Sequence, residues 1–264
     1  MRCFTISLEE KDNGGGRMPS LELYLLDGEA RRPMVIVVPG GGYTMVCGDG
    51  ERTAMQYSAA GFHTAVLYYS VAPACFPVPQ LELAAAIRTI REHAEEWRVQ
   101  PDRIAIWGSS AGGHLCASLS TIWNQERFFP AEEIRQELHK PNACILYSAV
   151  LTTRPEHCRK FLAGHVGSVH PENLEFAAPD RQVNPGTPPT FLYGTFEDRL
   201  ANYENAFYYA EELGRNGIPF ELHIFPRGGH GAPWCEEENW SKAPAGRDYR
   251  QMKLSVEWLT ELFG

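Results

Sequence analysis

The chain has 264 residues, 44% hydrophobic and 22% charged, enough for one large α/β domain with a well-buried core. With 33 acidic and 24 basic side chains it carries a net charge of −9 and no basic cluster, which argues against a nucleic-acid partner because a phosphate backbone calls for a clustered basic face. No apolar segment approaches bilayer-spanning length and residues 1–7 lack the apolar core of a signal peptide; the seven cysteines are scattered, without C-x-x-C or zinc spacing. These features predict a cytoplasmic chain with reduced thiols, no membrane contact, no metal and no cofactor.

Residues 3–8 and 21–26 alternate like strands across a Gly-rich loop, predicting an antiparallel entry to a sheet. Met34-Val35-Ile36-Val37-Val38 is a continuous apolar run, the pattern of a strand covered on both faces. It ends in Pro39-Gly40-Gly41-Gly42-Tyr43, where three glycines allow backbone N–H groups to converge on one point, as a tetrahedral oxyanion requires. His63 to Tyr69 reads as a second central strand. The loop from Val71 to Pro79, stiffened by Pro73, Pro77 and Pro79, is expected on the active-site side. A helix carrying Leu83, Ile87, Ile90, Ala94 and Trp97 on one face follows, and Pro101-Asp102-Arg103 then turns the chain into another strand.

That strand, Ile104-Ala105-Ile106-Trp107, runs into Gly108-Ser109-Ser110-Ala111-Gly112 and then a helix with Leu115, Leu119 and Ile122 on one face. A G-x-S-x-G sequence between strand and helix is the pattern of a nucleophile elbow, with Ser110 at its tip. So sharp a turn strains the serine backbone, demands small residues two positions away, and leaves the Ala111 N–H facing a substrate carbonyl.

Ala143 to Leu151 is a further apolar strand. Segment 152–189, rich in charge, Gly and Pro, is expected to form a small cap or a long loop, its length favouring the cap, with His157, His165 and His170 as surface or packing residues. The strand 190–195 delivers two adjacent acids, Glu197 and Asp198, either of which suits the acid of a Ser, acid, His order. Ala206, Tyr209, Ala210 and Leu213 mark the next helix, closed at Asn216-Gly217. Phe220 to Phe225 is the last strand, with His223 structural, and Gly228-Gly229-His230-Gly231 offers a histidine able to reach the elbow as a general base. Met252, Val256, Leu259 and Phe263 form a terminal helix covering the sheet.

Taken together, Gly40-Gly41-Gly42-Tyr43, Gly108 to His114, Val183 to Pro189, Thr195-Phe196-Glu197-Asp198 and Phe225 to Gly231 resemble α/β-hydrolase-fold esterases. The similarity is to the acetyl esterase and xylan-deacetylase-like branch, related to the hormone-sensitive-lipase esterases. It implies a mostly parallel sheet with helices on both faces. It also implies Ser110 as nucleophile, His230 as base, Asp198 as acid, and oxyanion donors at Gly41, Gly42 and Ala111. Two positions depart from the pattern: Pro39 stands where an HGGG loop has histidine, and Ala201-Asn202 replaces a Val-Pro pair after the acid. Tyr43 and Trp234 are either walls of a small acyl pocket or core aromatics.

The expected reaction is hydrolysis of short-chain, acetyl-like esters of sugars or xylo-oligosaccharides through an acyl-enzyme; the resemblance alone points to the sugar. A prolyl-oligopeptidase-like peptidase shares the triad order but carries a large extra domain. A non-catalytic hydrolase-fold binding protein is the other rival. The partner is a small-molecule ester, and the oligomeric state is open, a homodimer included.

Overall fold

The computed structural model describes residues 1–8, 18–167, 171–231 and 250–264. Eight strands form one sheet: β1 (Arg2–Ser7), β2 (Ser20–Leu25), β3 (Arg32–Val38), β4 (His63–Tyr68), β5 (Val99–Ser109), β6 (Ala143–Tyr147), β7 (Thr190–Thr195) and β8 (Phe220–Phe225). Their order is β1-β2-β4-β3-β5-β6-β7-β8. β1 pairs antiparallel with β2, β2 antiparallel with β4, and every other pairing is parallel.

The period of two in each strand sorts side chains into two layers. Met34, Ile36, Val38, Ile104, Ile106, Cys144, Leu146 and Leu192 face one core, which is roofed by α2 (Val78–Glu92), α3 (Ser110–Ile122) and α6 (Glu204–Arg215). Val35, Val37, Ala105, Trp107, Ile145, Tyr147, Phe191 and Tyr193 face the other, roofed by α1 (Gly50–Ala59) and α7 (Arg250–Phe263). Both faces of the central strands are therefore dry, which is why they read as unbroken apolar runs. On α6 the buried face is Ala206, Tyr209, Ala210 and Leu213, as its periodicity predicts. Full burial of a side chain such as Leu213 contributes about 2 kcal/mol.

Several boundaries differ from the sequence reading. Helix α2 ends at Glu92, so Ala94 and Trp97 sit in the turn behind it, still buried. Pro101-Asp102-Arg103 lies within β5: the register against β3 passes from Arg32 opposite Val99 to Met34 opposite Ile104, so the extra residues bulge out of the ladder. β6 stops at Tyr147, and Ser148 turns the chain with a φ of 46°. Helix α1 escapes the aliphatic pattern because its buried face is Gly50, Thr53, Ala54, Tyr57 and Ser58. The short helix α4 (Ala131–Arg135) has no buried residue and hence no periodicity to read. Segment 152–189 holds α5 (Glu156–Val166) and two 3-10 turns, Pro171–Leu174 and Pro179–Arg181.

Candidate active site

The carboxyl ends of the parallel strands, where open α/β sheets bind ligands, carry the site. β5 passes directly into α3 at Ser110, whose φ is 53°. The glycines on either side are required by contact. A Cβ on Gly112 would lie 2.0 Å from the Val38 carbonyl oxygen, and one on Gly108 2.3 Å from that of Gly112. The elbow can therefore form only where both positions lack a side chain.

Ser110 and His230 meet across 120 residues of sequence. The Ser110 Oγ–H donates to His230 Nε2 at 2.7 Å. His230 Nδ1–H donates to Asp198, at 2.9 Å to Oδ2 and 3.2 Å to Oδ1. Asp198 Oδ1 also accepts from the N–H groups of Leu200 and Ala201, both at 2.9 Å. Burial alone would raise the Asp198 pKa, but the bond and charge of His230, with those two amides, outweigh it and hold the carboxyl below its ordinary value. The acid thus stays ionised and orients the imidazole with Nε2 free to take a proton.

The second acid plays another part. Glu197 is exposed, and its Oε2 accepts the Gly228 N–H at 3.1 Å, on the loop that bears His230. Thr195 Oγ1 donates to the Gly228 carbonyl at 2.7 Å, so the end of β7 grips the histidine loop as well as supplying the acid. Sequence reasoning did not single out Thr195.

The glycine loop after β3 lies against the elbow: a Cβ on Gly40 would be 3.1 Å from the Ser110 Cβ. Gly41 and Gly42 have φ of +134° and +63°, and neither N–H donates a hydrogen bond to the backbone among the described residues. Ala111 stands at the first turn of α3, where N–H groups have no intrahelical partner. Among the described residues these are three amides without backbone acceptors, and that of Ala111 lies at the N-terminus of α3, whose dipole favours negative charge.

Tyr43 lies among core residues. Its side chain is buried in the core, with its hydroxyl 2.6 Å from His114 Nδ1 and its ring stacked on His165 at 3.5 Å. Of the two alternatives the sequence left, the ring takes its place in the core cluster, on a left-handed backbone with a φ of 59°. The loop 71–79 packs close by, donating from the Ala72 N–H to the Tyr43 carbonyl and from the Phe76 N–H to that of His165. His165 is buried while His157 is exposed; His223, half-buried, pairs with Glu221 at 2.6 Å. Trp234, Cys235 and His170 lie outside the described residues.

Comparison with known proteins decides the family. The BD-FAE family model matches residues 21–213, which takes in the glycine loop, the elbow and the acid. The chain belongs to the BD-FAE family. Among curated relatives, endo-1,4-beta-xylanase B of Butyrivibrio fibrisolvens is 31% identical over 86% of this chain, and the acetylxylan esterase of Xylanibacter ruminicola is 28% identical over 75%. The chain spans only 36% and 40% of those two proteins' lengths. Among solved structures, an acetyl ester-xyloside bifunctional hydrolase from Caldicellulosiruptor lactoaceticus superposes with a TM-score of 0.82 at 28% identity, covering 98% of this chain and 96% of that one. The fold is that of the α/β-hydrolases, as the sequence resemblance implied. No helix among the described residues of this BD-FAE chain is long and apolar enough to cross a membrane.

Proposed function

We propose that the protein is a serine carboxylic-ester hydrolase acting on short acyl esters, acetyl above all, carried by sugars or xylo-oligosaccharides. The observation that carries the reading is the unbroken bonding line from Ser110 Oγ through His230 to Asp198. Ser110 Oγ attacks the ester carbonyl while His230 Nε2 takes its proton, and the tetrahedral oxyanion forms beside the amides of Gly41, Gly42 and Ala111. His230 then protonates the leaving alcohol, and water repeats the sequence to free the acid. Each oxyanion amide is worth on the order of 3 kcal/mol of barrier.

The acetyl and sugar parts rest on likeness. The relatives named for acetylxylan and for an acetyl ester-xyloside support a small acyl group on a carbohydrate alcohol. In the 152–189 segment α5 is the one α-helix among the described residues, which also favours short chains over long lipid tails. The test is hydrolysis of p-nitrophenyl acetate and of acetylated xylo-oligosaccharides by the wild type and by Ser110→Ala. We expect acetate turnover that the substitution abolishes. A wild type that turns over neither ester overturns the reading in favour of a binding protein, and preference for an aminoacyl anilide would make it a peptidase.

A further inference from the structure

Beneath the glycine loop lies a buried polar group that the reaction as written does not use. Tyr43 follows the three glycines directly, and His114 lies four residues along α3 from Ser110. Tyr43 is 4% exposed and His114 fully buried. The tautomer follows from the partners. His114 Nε2 is 2.7 Å from the Ala177 carbonyl, which can only accept, so Nε2 carries the proton. Nδ1 is then an acceptor and the Tyr43 O–H donates to it at 2.6 Å. Burial, opposed by the Ala177 bond, lowers the His114 pKa to about 4 and keeps the ring neutral at pH 7; burial also pushes the Tyr43 phenol up, so its proton stays in place. Other contacts hold the loop less directly: Tyr69 Oη–H donates to the Pro39 carbonyl at 2.9 Å, and the Cys47 N–H to that of Gly40 at 2.9 Å. The Tyr43 hydroxyl joins this loop, side chain to side chain, to the helix that carries Ser110.

We propose that Tyr43 and His114 are positioning residues: the Tyr43 hydroxyl, donating to His114 Nδ1, ties the glycine loop to the elbow helix and keeps the loop amides in register with Ser110. The inference rests on the esterase reading. It assigns the cost of losing the bond to the chemical step, because the oxyanion is met only after the substrate has bound. The pair also reaches the segment above, through Ala177 and through the His165 ring stacked on Tyr43.

The experiment compares Tyr43→Phe, His114→Leu and His114→Gln with the wild type in p-nitrophenyl acetate hydrolysis, with thermal melts to fix the folded fraction. Glutamine retains one acceptor and one donor, so it can replace both bonds of the imidazole. We expect kcat to fall about ten- to a hundredfold in Tyr43→Phe and His114→Leu, with KM changed less than about twofold and much of the loss recovered in His114→Gln. Equal kcat in wild type and folded Tyr43→Phe, or a loss confined to KM, overturns the positioning role. Should His114→Leu fail to fold, Tyr43→Phe decides the matter. Nitrogen-15 histidine NMR of the wild type is the activity-independent arm. An Nε2–H tautomer of His114 whose Nδ1 resonance moves in Tyr43→Phe supports the pair, and an Nδ1–H tautomer overturns it. Wild-type inactivity would instead strike the esterase reading and leave the NMR result to judge the bonding.

Discussion

Ser110 and His230 stand 2.7 Å apart, yet the segments that deliver them are built in opposite ways. The elbow is fixed by backbone packing. Gly108 and Gly112 lie so close to carbonyl oxygens that a Cβ would overlap them, and among the described residues the Ser109 side chain at the N-terminus of α3 makes no capping bond and its hydroxyl is buried without a hydrogen bond. The histidine loop is held by side chains, with Thr195, Glu197 and Asp198 reaching from the end of β7 to Gly228 and His230. Sterics set where Ser110 is; polar contacts set where His230 is. The two halves should accordingly fail differently, one by losing the fold and the other by losing the rate.

The largest effect tests the polar half. In Asp198→Asn the amide oxygen can still accept from Leu200 and Ala201, while an NH₂ donor comes to face His230 Nδ1–H in place of the acceptor. The imidazole then turns or takes the wrong tautomer, and kcat for acetate esters should fall by about 10³ to 10⁴ with the melting temperature little changed. Steady-state kinetics beside a thermal melt reads both numbers, and a variant that keeps a tenth of the rate would break the comparison.

Gly112→Ala probes the other half. The added carbon would meet the carbonyl oxygens of Val38, the last residue of β3, and of Pro39 just after it at 2.0 and 2.4 Å, backbone atoms that cannot swing aside. We expect a loss of about 3 kcal/mol or more in a urea titration, with activity falling in step with the folded fraction. A stable but inactive variant would mean that the elbow yields to side chains after all.

The same division explains what could be read from the chain. Backbone-set features leave marks in composition: the glycine spacing about Ser110, the apolar runs Met34–Val38 of β3, Ile104–Trp107 of β5 and Ala143–Tyr147 of β6, and the helical face of α6 all predict what forms. Features set by polar contacts leave few marks. Glu197 and Asp198 are adjacent and chemically alike, so the residues alone left the acid open until one was found against His230 and the other against Gly228. Tyr43 is ambiguous in the sequence because an aromatic after a glycine loop suits a pocket wall as well as a core, and its core partners, His114 and His165, lie 71 and 122 residues away along the chain. His114 itself sits in a run of small and apolar residues, where periodicity reports burial and is silent about partners.

The smallest effect is the sharpest test of the paired acids. Glu197 is solvent-exposed and its contribution is one bond to the Gly228 N–H at 3.1 Å. Removing it in Glu197→Ala frees a donor that water can satisfy, so stability should change by no more than about 1 kcal/mol and kcat by less than about threefold. Asp198→Ala, by contrast, strips the half-buried imidazole of its acceptor and leaves two amides bare. Measured side by side on p-nitrophenyl acetate, the two alanine variants should differ by at least a hundredfold in kcat. A larger loss at Glu197 would mean that the imidazole leaves Asp198 during turnover, and that the loop held by Glu197 carries the productive geometry.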